Sequence, residues 1–205
     1  GAGYLTAAGD PDQGTTATLT SHGDVPWTRT IETGPVDNSK LDSTDLLLGV
    51  AADSGDRIIA VGVKSGNWPV DQYHQAMVTQ AYSPAGDLEW ERTYHNFAWN
   101  AARSVAITPD DSILVAGNVY GSSTIANEWA VLKYSKEGVL QPGFPILYNA
   151  INSADAADIA HGIDATPDGG FVVVGQRGAA SNNVDWHVRR YRPDGSLLWE
   201  DSIDG

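Results

Sequence analysis

Apolar residues in this chain fall in short runs that are closed at regular intervals by glycine, proline and aspartate. The runs IIAVG (Ile58–Gly62), ILVAG (Ile113–Gly117) and FVVVG (Phe171–Gly175) are apolar at successive positions, which predicts strands covered on both faces. Each is preceded by a strand-like stretch, LLLGVAA (Leu46–Ala52), ARSVAIT (Ala102–Thr108) and IAHGIDAT (Ile159–Thr166). The links DSGD, TPDD and TPDG between them carry the residues that tight turns require. A third stretch mixes apolar with polar positions, as in WAVLKY (Trp129–Tyr134) and WHVRRY (Trp186–Tyr191), and a PAG, KEG or PDG turn leads on from it. The last stretch alternates Trp90, Arg92 and Tyr94 against Glu91 and Thr93, as a half-exposed strand would. Four antiparallel strands per unit, grading from buried to exposed, describe a propeller blade.

The pattern repeats. Gly62, Gly117 and Gly175 lie 55 and 58 residues apart, and Tyr94, Tyr148 and Ile203 lie 54 and 55 apart. A period of that length means stacked supersecondary units. The phrase YSPAGDLEWERTY (Tyr82–Tyr94) returns as YRPDGSLLWEDSI (Tyr191–Ile203), in worn form as YSKEGVLQPGFPILY (Tyr134–Tyr148), and near the start as LTSHGDVPWTRTI (Leu19–Ile31). The expected fold class is all-β, with three complete blades at 45–94, 100–148 and 158–205 and a partial N-terminal blade at 1–31 that holds the end of a second strand, a third and a fourth. Together they form one propeller segment. A ring usually needs about four to eight blades, so the remainder of a larger propeller, or a second chain, is an expected partner.

The combination D-G-x-L-x-W, a spacer, an Asx at the start of the next unit (Asp45, Asn100, Asp158), then T-P-D-G-G followed by apolar residues and glycine, resembles the β-propeller repeat of large secreted and surface proteins of bacteria and archaea. The likeness covers nearly the whole chain. It departs at Ala76–Met77, where other units carry Glu128–Trp129 and Asp185–Trp186, and at Phe144, where others carry Trp90 and Trp199. The resemblance implies a fold and a secreted or cell-surface setting, with no single chemistry.

Composition narrows the partners. With 26 acidic against 12 basic residues the formal charge is −14, which repels a phosphate backbone and argues against nucleic acid. Cysteine is absent, so disulfides, thiolate metal sites and cysteine nucleophiles are excluded and the redox compartment stays open. No apolar run approaches the roughly 18–20 residues of a membrane helix.

Function is expected on the rim opposite the tight turns, where the second–third and fourth–first connections are longer. Trp27, Trp90, Trp129, Trp186 and Trp199 occupy repeat positions and are assigned to packing between blades. Trp68 and Trp99 lie outside the repeat phrase, and with Tyr73, His74 and His95 they form the candidate ligand-binding set, since aromatic rings beside amides suit sugar rings and peptide side chains. Filling a gap against the next blade is the competing role for both tryptophans. The acidic loops suit calcium, which takes hard oxygen ligands. Its candidate ligands are Asp10, Asp12, Asp37, Asp42 and Asp155, although Ser21 stands where an EF-hand needs glutamate. Asp45, Asn100 and Asp158 share one register and are expected to cap backbone amides.

No nucleophile elbow, phosphate loop or histidine metal motif is present. The favoured function is a non-enzymatic extracellular module that binds or adheres to protein or glycan, with a purely structural scaffold close behind. The alternative is a propeller enzyme acting on polysaccharide as a hydrolase or lyase, for which Asp164, Asp45 and Asp158 are the carboxylates near inner strands.

Overall fold

The computed structural model describes the backbone of residues 6–10, 13–21, 24–30, 45–68, 71–96, 99–120, 127–150, 157–178 and 183–203, and side chains from residue 45 onward apart from 66–74. Among these residues every regular element is a β-strand. The first three are β1 (Thr6–Asp10), β2 (Gln13–Ser21) and β3 (Asp24–Thr30), which form a three-stranded antiparallel sheet in chain order. Strand β1 falls within Leu5–Gly14, which reads from the sequence as a second–third loop.

Three four-stranded antiparallel sheets follow, each in chain order. The first holds β4 (Leu46–Ala52), β5 (Ile58–Trp68), β6 (Asp71–Tyr82) and β7 (Leu88–Tyr94). The second holds β8 (Ala101–Ile107), β9 (Ile113–Tyr120), β10 (Asn127–Tyr134) and β11 (Ile146–Tyr148). The third holds β12 (Ile159–Ala165), β13 (Phe171–Gly178), β14 (Val184–Tyr191) and β15 (Leu197–Ile203). The leading strands make the inner edge of the stack, with β8 between β4 and β12.

The repeated glycine is explained by this inner edge. Gly62, Gly117 and Gly175 pair with Leu47, Ala102 and Ala160, and just beyond each pair the register slips by one residue. A Cβ at any of the three glycines would overlap the carbonyl oxygen of Leu46, Ala101 or Ile159 on the facing strand. Only glycine admits that approach, so the residue that ends each apolar run also fixes a β-bulge in the strand opposite. The bulged residues are Leu48, Arg103 and His161.

The second strands β5 and β9 are buried on both faces, as their unbroken apolar runs require, whereas β13 is covered on one face only and leaves Val174 exposed on the other, because no further sheet packs there among the described residues. Ile113 and Val115 join Ile59, Val61 and Met77 in the core between the first and second four-stranded sheets, while Leu114, Ala116 and Trp129 join Phe171, Val173 and Tyr191 between the second and third. The tight turns close as expected. Thr166 accepts from Gly169 N at 2.8 Å, and the left-handed position is taken by Gly169 (φ 82°) in one unit and by Asp56 (φ 61°) and Asp111 (φ 59°) in the others.

Turns also lock neighbouring sheets. Trp90 lies against Gly138 and its indole donates to the Lys136 carbonyl at 3.1 Å, while Arg92 Nε donates to the Gly138 carbonyl at 2.7 Å. In the worn unit Phe144 is buried against Phe171 and packs on Gly195, the counterpart of Gly138. Apolar packing survives the change from tryptophan, while the indole hydrogen bond and that of Arg92, where Ile146 stands, have no counterpart.

The assignment of repeat tryptophans to packing between blades needs correction at two positions. Trp129 is fully buried, but its counterpart Trp186 is 74% exposed and Trp199 is 48% exposed. Both belong to the third four-stranded sheet, whose outer face meets no further sheet among the described residues. One second–third connection also differs from the long loop expected there. Strands β5 and β6 pair as far as Trp68 with Asp71, and Gly66 pairs with His74, so only residues 69 and 70 link them. Backbone pairing is indifferent to the polar side chains that made this stretch read as a loop.

Candidate functional site

The recurrent Asx residues are clamps. Asp45 Oδ1 accepts from Ser65 N at 2.7 Å, and Asp158 uses its two oxygens to accept from Gly178 N and Ala150 N, both at 2.9 Å. Asn100 Oδ1 accepts from Tyr120 N at 3.2 Å while its Nδ2 donates to the Gln75 carbonyl at 2.8 Å. Each ties the entry of a leading strand to the far end of the second strand, and Asn100 also reaches the preceding sheet. Burial raises the carboxyl pKa of both Asp45 and Asp158 above the ordinary value. Asp164, the remaining inner carboxylate, accepts from the next amide, Ala165 N, at 2.9 Å.

A different cluster stands at the bulges. The bulge in β8 turns Arg103 out of the pairing pattern, and its Nε donates to Asn118 Oδ1 at 3.0 Å. Asn118 is buried, and its Nδ2 donates both to the Trp99 carbonyl at 3.2 Å and to Asn127 Oδ1 at 3.0 Å. One carboxamide thus holds the guanidinium of Arg103 and the backbone of Trp99 together. Trp99 itself has φ of 45°, a left-handed conformation that is costly for a large side chain, and the residue is 52% exposed. Such strain is held in place by the surrounding hydrogen bonds.

The same arrangement recurs one sheet on. His161 occupies the bulge of β12, and its Nε2 lies 3.4 Å from Oε1 of Gln176, which stands in the register of Asn118. Gln176 is fixed in turn, its Nε2 donating to the Ala157 carbonyl at 3.1 Å and its own carbonyl accepting from Trp129 Nε1 at 2.7 Å. Strands β8 and β12 approach closely enough for Ile163 N to donate to Ser104 Oγ at 3.2 Å. In the first four-stranded sheet the bulged residue is Leu48, which is exposed.

Arg103 differs from most arginines of the chain. Arg57 pairs with Asp53 at 2.6 Å, Arg189 with Glu200 at 3.0 Å and Arg190 with Asp168 at 2.8 Å. Among the described residues Arg103 makes no ion pair, and burial alone lowers its pKa from the ordinary arginine value.

Of the residues expected to bind ligand, Trp99 joins this cluster and His95 is half-buried on the same connection. Trp68, Tyr73 and His74 lie on the paired ends of β5 and β6, with side chains outside the described residues. For calcium, Asp10 ends β1, its side chain outside the described residues, and Asp12, Asp37, Asp42 and Asp155 lie outside them altogether. Among the described residues no three acidic or histidine side chains form a metal-binding group. No described helix is long and apolar enough to cross a membrane.

Sequence pattern had not singled out Arg103, Asn118 or Gln176. Their signal was available in the slot after each anchor glycine, where Val63, Asn118 and Gln176 stand.

Residues 166–197 match a β-propeller family. It is described as a domain of unknown function (DUF5122) beta-propeller, and the match runs from the turn before β13 into β15. The fold and this match together support propeller-type repeats. No curated protein matches. Among solved structures, one described as "Crystal structure of the eukaryotic initiation factor" aligns with 98% of this chain and 43% of that chain, at 10% identity and a TM-score of 0.45. This chain therefore spans less than half of that protein, and so loose a likeness carries no argument about function.

Proposed function

We propose that this chain is a non-enzymatic β-propeller module of a secreted or cell-surface protein of bacteria or archaea, and that it binds a glycan at the inner-edge cluster. The observation that carries the binding role is the strained, half-exposed Trp99, held by Asn118 beside Arg103. An exposed indole suits the apolar face of a sugar ring, and the carboxamide and guanidinium tied to its backbone suit the hydroxyls. The setting outside the cell rests on the resemblance of the repeats to those of secreted and surface proteins.

The propeller partner belongs to the same proposal. Val174, Trp186, Trp199 and Ile203 form an exposed apolar outer face on the third four-stranded sheet. Their counterparts in the preceding sheets pack into the next sheet, so the occupant that fits is another four-stranded sheet of this repeat.

A glycan array carrying neutral and acidic oligosaccharides, probed with the parent chain and with Trp99→Ala, tests the binding role. Binding to at least one class of glycan, weakened at least tenfold by Trp99→Ala, is the expected result. Absence of binding to every glycan, or binding indifferent to Trp99, would refute it.

A further inference from the structure

We infer that the ligand bound at this edge carries a carboxylate, as an acidic sugar does, and that Arg103 is the residue that selects it, with His161 as a second donor. The inference deepens the binding role proposed above and rests on it.

The bulge is the starting point. A register slip at the same place in each leading strand takes one residue per sheet out of the pairing, and two of the three carry nitrogen donors on neighbouring strands, Arg103 on β8 and His161 on β12. The third, Leu48, carries no donor. Closing the glycine-bounded bulge needs no particular side chain at the bulged residue, so packing does not explain an arginine there.

Charge points the same way. In a chain of formal charge −14, an arginine has carboxylates in abundance to pair with, yet Arg103 is half-buried and its Nε donates to a neutral amide. The terminal nitrogens of its guanidinium make no hydrogen bond or ion pair among the described residues. A partly desolvated guanidinium without an anion is costly, and a planar carboxylate is the partner whose geometry matches its fork. Asn118 fixes the Nε side, which leaves the outer face of the fork for a ligand. The same Asn118 holds the Trp99 backbone, so the stacking surface and the charge are set by one side chain. Acidic polymers are repelled by the rest of so acidic a surface, and this local pair of donors therefore confers selectivity for a single well-placed carboxylate more than general affinity for polyanions.

The test is isothermal titration of the parent chain, Arg103→Met, Arg103→Lys and Trp99→Ala with tetragalacturonate, with its fully methyl-esterified form and with hexaglutamate. The parent is expected to bind the acid at least about tenfold more tightly than the ester, as removing a charge-assisted hydrogen bond implies. Arg103→Met should abolish that difference, the acid falling to the affinity of the ester, and Arg103→Lys should restore part of it. Thermal unfolding of each variant shows that it is folded, and loss of ester binding in Arg103→Met alone would place the residue in structure and overturn the inference. Equal binding of acid and ester, with Trp99→Ala still weakening both, would overturn the carboxylate assignment and leave the glycan role standing. Binding of hexaglutamate through Arg103 with no oligosaccharide bound would overturn the sugar assignment in favour of an acidic peptide. No binding of any probe would overturn both.

Discussion

Replacing Gly117 by alanine perturbs the feature on which the inner edge depends. The new methyl would overlap the Ala101 carbonyl and meet the Ala102 backbone, and neither is the free end of a flexible side chain. The pairing of β8 with β9 must therefore open or shift at Ala102–Gly117. Overpacking of this kind costs about 1–3 kcal/mol, and loss of one or two ladder hydrogen bonds adds about 1 kcal/mol each. The expected destabilisation is about 2–5 kcal/mol, equivalent to a fall in Tm of roughly 4–20 °C for a chain of this size. Gly55→Ala is the matched control. Gly55 sits in an exposed turn, its added methyl would meet only Asp53 Oδ1 at 3.4 Å, and the change should stay within about 0.5 kcal/mol. Urea unfolding followed by tryptophan fluorescence reads both. A Gly117→Ala variant as stable as the Gly55→Ala variant would refute the link between the repeated glycine and the bulge.

Other expectations follow from single residues. Trp129→Ala should cost about 3–5 kcal/mol, because a fully buried indole and its bond to the Gln176 carbonyl are lost, whereas Trp186→Ala in the chain alone should change stability by under about 0.5 kcal/mol. Equal costs in denaturant melts would show that Trp186 is covered. Asp158→Ala strands the amides of Ala150 and Gly178 and should cost about 2–3 kcal/mol, while Asp158→Asn, which copies Asn100, should retain most of that by the same melts. His187 is buried between sheets, stacked on Tyr148 at 5.3 Å with Ser202 Oγ at 2.8 Å, Glu200 at 3.5 Å and Arg189 and Arg177 nearby, and burial lowers its pKa below the usual 6.5. The unfolded chain then binds the proton more readily, so this contribution is complete above pH 6.5 and is lost as the pH falls through the folded-state value. Melts across that range should show the loss, and His187→Gln should flatten it.

Much of this fold was legible because the repeat constrains it at several levels. Unbroken apolar runs fixed the second strands, turn residues fixed the tight hairpins, and the anchor glycine marked the bulge. The long hairpin of β5 and β6 was not legible, since Lys64–Trp68 and Asp71–Gln75 are polar and main-chain pairing leaves no hydrophobic trace. Exposure of Trp186 and Trp199 was not legible either, because a repeat position says what a residue packs against only when the next sheet is present. For the site, Trp99 stood out as an aromatic outside the repeat. Arg103 did not, because its meaning comes from the bulge, which takes it out of the strand pairing, and from its making no ion pair among the described residues, neither of which a linear pattern displays.

The most direct measurement is the Nε–H resonance of Arg103 in a proton–nitrogen correlation spectrum, assigned by loss of the peak in Arg103→Met and followed during titration with tetragalacturonate. A saturable shift of that peak, reduced when Trp99 is replaced by alanine, is the predicted result. A resonance that stays in place while the oligosaccharide binds elsewhere, or while nothing binds at all, would contradict an inner edge built to hold an acidic ligand.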